Sequence, residues 1–287
     1  MFVKPFRYER ASSVTEACAL LREYDGEAKV IAGGQSLLPM INLGLVDPSA
    51  VVDISRIAGL DGVAERNGSL DVGALTRHRA LEGDALVARH QPLLAEAVRS
   101  VGNTRVRNRG TLGGSLAHGD PAAELPLAMT VLEAEYEVSN GNATRTIAAG
   151  EFPLTYFTTQ LAEDELLTGV RVPKLPAGWG WGFHEVSRRP GDFAVVAAAA
   201  VVRCRGGAIE DARVGLAGVS ERPVRLTSVE AALAGVPVSQ IEDVVGEVDA
   251  IEPITDTMAS AGYRRRLARV LARRVLADAC QRSEGAD

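Results

Sequence analysis

The stretch "VIAGGQSLLPM", Val30 to Met40, decides how the chain is read. Two β-branched residues run into Ala-Gly-Gly-Gln-Ser and then into Leu-Leu-Pro-Met. A turn after a strand needs one glycine. A glycine pair followed by short polar side chains leaves backbone N–H groups uncovered, so that anionic oxygens can approach the main chain. A second stretch repeats the theme: "RGTLGGSLAHGDPAAELP", Arg109 to Pro126, has Gly-Gly, a hydroxyl residue and leucine. Ser36, Thr111 and Ser115 add hydroxyl donors. Each loop taken alone is also what a tight turn after a strand looks like. Taken together, they can grip one pyrophosphate from two sides. Neither carries G-x-G-x-x-G, and no Gly-Lys-Ser P-loop occurs, which argues against a classical NAD fold and against an NTPase.

The chain has 287 residues, enough for two domains, and 46% of them are hydrophobic, so a substantial core is available. A net charge of −6 argues against nucleic acid as the partner. The three cysteines, Cys18, Cys204 and Cys280, lie far apart, with no C-x-x-C. Neither a zinc site nor an iron–sulfur cluster is readable in that spacing, which fits a reducing cytoplasm. The N-terminus has no signal-peptide pattern, and the longest apolar run, "FAVVAAAAVV" from Phe193 to Val202, is too short for a bilayer span of roughly 20 residues. A soluble, cytoplasmic protein is expected, with the inner face of the membrane left open as a location.

"SSVTEACALLREYDG" predicts a helix opened by a Ser13/Glu16 capping box, with Val14, Ala17, Cys18 and Leu21 on one face. "AKVIAGG" and "AVVDISRI" are strands, giving a β-α-β-like opening. "SLDVGALTRHRALEGD" reads as a strand, then Thr76 as N-cap, then a short helix. Gln91 to Gly102 is a helix with Leu93, Leu94, Ala97, Val98 and Val101 at helical spacing. "LEAEYEVSNGNATRTIAAGEF" is a hairpin at Asn140-Gly141, and "ELLTGVRVPKLP" is one more strand. "LPAGWGWG", Leu175 to Gly182, reads as a domain boundary. Beyond it come strand, Gly-Gly turn and strand, then a Thr227/Glu230-capped helix. A long amphipathic helix closes the chain, with Leu267, Val270, Leu271 and Val275 as its stripe. The arginines around that stripe suit a charged outer face better than a membrane or nucleic-acid surface.

"AGGQSLLPMINLGLVDPSAVVDISRI" together with "VGNTRVRNRGTLGGSLAHGDPAAELP" resembles the FAD-binding medium subunit of the molybdenum hydroxylases, the xanthine dehydrogenase family. Within it, the resemblance runs to the medium chain of the aerobic carbon monoxide dehydrogenase type. It covers essentially the whole chain, including "PFRYERASSVTEACALL", "DVGALTRHRALE" and "SRRPGDFAVVAAAAVV". The resemblance implies an α+β protein. A vanillyl-oxidase (PCMH)-type FAD-binding domain would fill 1–176, in subdomains of about 1–57 and 58–176, and a smaller α+β domain would fill 177–287. It also implies FAD here, with molybdopterin and [2Fe-2S] clusters confined to a large and a small partner subunit. The expected assembly is a dimer of such heterotrimers.

Carried onto this chain, the resemblance implies that Ala32, Gly33, Gly34, Gln35 and Ser36, with Thr111, Gly113, Gly114 and Ser115, hold the diphosphate, mainly through backbone N–H groups. Leu37 packs nearby, and Val101 and Gly110 line the approach. Asp120 and Glu124 suit ribityl or ribose hydroxyls, because an ionised carboxylate only accepts; Asp120 also reads as a turn residue before Pro121. Leu167 packs on a ring of the cofactor. His184 stands where related domains place a lysine near the flavin, and a plain surface residue reads equally well there. Phe193, in "RRPGDF", lies over the flavin or in the core. Arg99, Arg105, Arg107 and Arg109 help the diphosphate, form a docking surface for an acidic iron–sulfur partner, or line a solvated loop.

Function follows as electron transfer: from iron–sulfur clusters onto FAD, and on to an external acceptor such as quinone. Carbon monoxide is the leading substrate of the complex, with a purine, an N-heterocycle such as nicotine, or an aldehyde as alternatives. A flavin-free scaffold is the distant rival. No catalytic acid–base pair, no metal ligands and no covalent flavin link are expected, and the four histidines form no constellation.

Overall fold

The computed structural model describes residues 4–246 and 251–285. A three-stranded sheet opens it: β1 (Arg7–Arg10), α1 (Val14–Glu23), β2 (Ala28–Ile31), α2 (Leu37–Asn42) and β3 (Ala50–Asp53), with the strands parallel in the order β1-β3-β2. Central β3 is buried throughout, as its Ala-Val-Val run requires. The edge strand β1, Arg-Tyr-Glu-Arg, has no apolar alternation and no sequence signal. Ser13 caps α1 by accepting from the Glu16 N–H at 3.1 Å, and the Glu16 carboxylate reaches back one residue further than expected, to the Ser12 N–H at 2.7 Å.

The second unit interleaves helices with an antiparallel sheet. Its elements are β4 (Val63–Arg66), β5 (Ser69–Gly73), α3 (His78–Gly83), α4 (Ala85–His90), α5 (Pro92–Ser100), α6 (Thr104–Arg109), α7 (Leu112–His118), α8 (Glu124–Val131), β6 (Glu135–Ser139), β7 (Thr144–Ala148), the small pair β8 (Pro153–Thr155) and β9 (Thr158–Thr159), and β10 (Leu166–Pro173). The sheet order is β4-β5-β10-β6-β7. Arg77, not Thr76, precedes α3; the Thr76 hydroxyl instead ties the chain across to the N–H and C=O of Gly62, at 2.9 and 3.0 Å. The β6–β7 turn is wider than a two-residue hairpin: Asn140 Oδ1 accepts from the N–H groups of both Asn142 and Ala143. Helix α8 is buried along its whole length, uncharged after Glu124, and stands between α5 and the third unit.

That third unit is a four-stranded antiparallel sheet, β11 (Trp179–Ser187), β12 (Ala194–Arg205), β13 (Ala208–Ala217) and β14 (Val224–Arg225), with α9 (Thr227–Leu233), α10 (Ile241–Val245) and α11 (Ala261–Glu284). The stretch "LPAGWGWG" runs directly into the third unit, whose strand β11 begins at Trp179. Strand alternation sends Trp179, Trp181 and Phe183 towards the second unit, where Trp181 Nε1 donates to Glu96 at 3.0 Å. The glycines face α11. A Cβ on Gly180 would lie 2.5 Å from the Ser283 nitrogen, and one on Gly182 would lie 2.8 Å from the Val275 Cα, so the long helix seats directly on backbone.

Three further expectations change in this unit. Thr227 does not cap α9: Leu226 occupies the cap position without a side-chain bond, and Glu230 instead accepts from the Val214 N–H at 2.9 Å and pairs with Arg225. Val270 is 41% exposed, so the buried stripe of α11 runs through Ala268, Leu271, Ala272, Val275, Leu276, Ala279 and Cys280, with Arg264 at its head. Cys204 and Cys280, distant in sequence, meet as thiols between β12 and α11, beside the Ser283 hydroxyl that accepts from the Cys204 N–H at 2.9 Å.

Candidate functional site

Strand β2 ends at the carboxyl edge of the parallel sheet, and the chain turns through Ala32-Gly33-Gly34-Gln35-Ser36 into α2. Gly34 makes the bend at φ +71°, a left-handed conformation. Gly33 is there for closeness: a Cβ on it would lie 3.0 Å from the Cα of Gly110 and nearer still to the Arg109 carbonyl oxygen. The first glycine loop therefore abuts the entrance of the second, and two stretches far apart in sequence share one surface. Among the described residues, the N–H groups of Gly33, Gly34, Gln35 and Ser36 have no protein acceptor, and the Ser36 hydroxyl makes no capping bond.

The second loop is built differently from the expectation. Its amides are already used. Leu112 donates to the Thr76 carbonyl at 3.0 Å, Gly113 to Ala74 at 2.8 Å, Gly114 to the Thr111 hydroxyl oxygen at 3.2 Å and Ser115 to the Thr111 carbonyl at 3.1 Å. Gly113 fits against Ala74, where a Cβ would lie 2.6 Å from the Ala74 methyl carbon. What this loop leaves open to a ligand is the half-exposed Ser115 hydroxyl and the exposed backbone of Gly114, while Thr111 is buried as the cap of α7. An anion at the junction would thus take main-chain donors from the first loop and the Ser115 hydroxyl from the second. The residues present fit a diphosphate on that count.

Arg77 was not singled out by its sequence. Its guanidinium donates to the Arg109 carbonyl oxygen, at the junction itself. Burial, and then the neighbouring Arg109, hold its pKa below the usual value. Two cations thereby converge where an anionic ligand would lie. Of the basic segment, Arg107 is an internal brace: it donates to Glu82 at 3.1 Å and to the carbonyls of Val101 and Gly102, while Arg99, Arg105 and Arg109 are exposed. Val101 is buried at the end of α5 beside this brace, and Leu37 starts α2 half-buried. Leu167 is 5% exposed and packs in the second unit's core.

Beyond α7, Asp120 makes a local turn, its carboxylate accepting from the Ala122 N–H at 2.8 Å. Glu124 is 8% exposed, and burial pushes its carboxyl up to about 8, so it carries a proton at neutral pH rather than acting purely as an acceptor. His184 shares the α11-facing side of β11 and pairs with Asp278 at 3.0 Å. The next residue, Glu185, takes the opposite face, towards Glu124, and burial pushes it up to about 7. Phe193 is 66% exposed, which removes the core reading for it, and its loop touches the second unit where Gly191 meets Gly102.

The site sets the sign of two pH effects. Burial beneath Gly110 pushes His78 down to about 4 from 6.5, so its contribution to stability is present above pH 6.5 and is lost as pH falls through 4. Glu124 acts oppositely: its contribution is full below 4.5 and is lost as pH rises through about 8. Urea midpoints measured from about pH 4 to about pH 9 are expected to fall at both ends; His78→Gln flattens the acid limb and Glu124→Gln the alkaline one.

Fold and site together define a class of protein, a two-part nucleotide-cofactor binder with an added sheet-and-helix domain. Residues 4–175 match the FAD binding domain in molybdopterin dehydrogenase, and residues 181–279 match the CO dehydrogenase flavoprotein C-terminal domain. The chain is 36% identical to the nicotine 6-hydroxylase medium subunit of Paenarthrobacter nicotinovorans, covering 99% of this chain and 100% of the relative. It is 35% identical to the carbon monoxide dehydrogenase medium chain of Hydrogenophaga pseudoflava, over 94% and 96% of the two chains. A chain in the structure of reconstituted CO dehydrogenase from Oligotropha carboxidovorans superposes with a TM-score of 0.95 at 32% identity, covering 98% of this chain and 100% of that one. The protein belongs to the FAD-binding medium subunits of the molybdenum hydroxylases, and FAD is its cofactor.

Proposed function

We propose that this chain is the electron-converting subunit of its complex, taking electrons from iron–sulfur clusters of a small partner and passing them to an external acceptor such as quinone. The observation that supports the reading is the close approach of Gly33 to Arg109 and Gly110, which brings the two glycine loops side by side. Bound FAD would supply chemistry in one- and two-electron steps, which joins single-electron clusters to pair-accepting oxidants. The chain's own part is to bind and orient. Ala32 to Ser36 would present N–H groups to the diphosphate, and Ser115 its hydroxyl. Gly114 leaves its backbone open to the ligand, while Gly110 and Gly113 let the loop pack closely on His78 and Ala74. Leu37, Val101 and Leu167 would give apolar support, and Asp120 would accept from a ribityl or ribose hydroxyl. His184, turned to α11, fits a supporting role behind the strand. Phe193 would close the ring's open side: Phe193→Ala should leave stability within about 0.5 kcal/mol while making the bound flavin's fluorescence more quenchable by iodide.

The large molybdopterin subunit and the small iron–sulfur subunit would complete a heterotrimer, paired into a dimer, in the cytoplasm or at the inner membrane face. No helix among the described residues is long and apolar enough to cross a membrane. Carbon monoxide is the proposed reductant of the complex, supported by the full-length likeness to CO dehydrogenase. An N-heterocycle is the second reading, favoured by the full-length likeness to the nicotine 6-hydroxylase subunit. Purification from the native cell tests both. Molybdenum, iron and FAD should copurify, and carbon monoxide should bleach the flavin. Bleaching by nicotine alone selects the second reading, and a preparation without molybdenum and iron overturns the assembly.

A further inference from the structure

Three segments converge on one oxygen atom, the Arg109 carbonyl. A Cβ on Gly33 of the first loop would meet it first, and the Arg77 guanidinium donates to it. Arg77 is fixed there by its own main chain. It pairs with Thr111 of the second loop in an isolated antiparallel bridge. Its carbonyl opens α3 by accepting from the N–H groups of Ala80 and Leu81, at 3.0 and 3.1 Å. The next residue, His78, donates its N–H to the Gly110 carbonyl at 3.1 Å. The side chain therefore reaches the junction from a backbone that the second loop holds in register.

A guanidinium has five N–H donors. Arg77 spends one on Arg109, and no acid among the described residues forms an ion pair with it. The acids whose charge reaches it are occupied or remote. Asp53 accepts from the Tyr8 hydroxyl and the Ser55 N–H and lies 3.6 Å from Arg10, and Asp61 is exposed. Its closer neighbours give no negative charge. Arg109 is an exposed cation, Arg107 is bonded to Glu82 at 3.1 Å, and burial keeps His78 neutral at pH 7. The lowered pKa of Arg77 agrees with a cation that lacks its counter-charge.

A half-buried cation beside another of its sign is unfavourable. Holding the Arg109 carbonyl needs only a neutral donor, so packing does not account for the charge. An anion at the junction does. We propose that Arg77 is a binding residue for the diphosphate and sets the preference of the junction for a charged linker, an inference that rests on the flavin reading. Its guanidinium, already oriented by the Arg109 carbonyl, offers the rest of its planar fork to phosphate oxygens at little ordering cost. The first loop's N–H groups would supply direction, and Arg77 would supply net charge. The sequence concealed this, because "TRHRALE" presents Arg77 as one more arginine beside a helix start.

The test uses the full FAD-free chain titrated with ADP and with adenosine, with melting temperature as the control for folding. Arg77→Gln keeps a donor for the Arg109 carbonyl and removes the charge. It should weaken ADP roughly 10- to 100-fold, leave adenosine within about 2-fold, and flatten the fall of ADP affinity with rising salt. Arg77→Lys should keep that salt dependence and recover part of the affinity. Three results overturn the role of Arg77 and leave the flavin reading intact: a folded Arg77→Gln chain that binds ADP as tightly as wild type, one that loses ADP and adenosine by the same factor, or an Arg77→Lys chain as insensitive to salt as Arg77→Gln. A folded wild-type chain that binds no ADP overturns the diphosphate site on which the flavin reading rests, and the inference with it.

Discussion

Gly33→Ala is expected to yield a folded chain that has lost most of its FAD. The new methyl carbon would lie 3.0 Å from the Gly110 Cα and closer to the Arg109 carbonyl, and both neighbours are main chain held by other bonds. Gly110 donates to Val106 at 2.7 Å and accepts from the His78 N–H at 3.1 Å, while Arg77 holds the Arg109 carbonyl. Neither side can give way cheaply, so the loops separate. Overpacking of this kind costs ~1–3 kcal/mol, and spreading the donors around a charged ligand should weaken FAD binding at least ~10-fold. Gly83→Ala is the matched control. Nothing lies within 4 Å of a Cβ there and the backbone is not left-handed, so melting point and flavin content should hold. Flavin-to-protein absorbance ratio and thermal midpoint read both effects.

The largest loss of stability is expected at Arg264. This side chain is 3% exposed; it donates to the Val195 and Gly218 carbonyls and pairs with Asp256 at 2.6 Å. It thereby ties the start of α11 to the ends of β12 and β13. Arg264→Met leaves two buried carbonyls and a carboxylate without their donor. Breaking a buried pair costs ~3–5 kcal/mol, and because Asp256 remains 38% exposed the lower end applies. Arg264→Lys should recover only part of it, since one ammonium cannot match a guanidinium fork against three acceptors. The urea midpoint should fall strongly, with FAD per folded chain unchanged.

How much of this was legible follows from what each residue answers to. Helix α1, the strands around the Gly206-Gly207 turn and the closing helix obey local rules of capping, alternation and period, and those rules sit in the sequence. The glycine loops were legible as unusual, yet their roles were not equal: the second loop's amides are spent on Ala74 and Thr76, which a linear reading cannot see. "LPAGWGWG" reads as a boundary because Gly and Pro punctuate, but its second role is hidden: Gly180 and Gly182 make room for a helix almost a hundred residues away. Arg264 is one of three consecutive arginines, and nothing local says which is buried. His184 and Glu185 differ by one strand position, which is enough to exchange their faces. In each case the deciding neighbour is remote in sequence.

The central claim is that a single diphosphate lies where the two glycine loops touch. Titration calorimetry of the FAD-free chain with ADP and with adenosine tests it most directly, because the two differ only in the diphosphate. One ADP per chain is expected, with adenosine weaker by at least ~100-fold, since several charge-assisted hydrogen bonds are lost. Adenosine binding as tightly as ADP would contradict it.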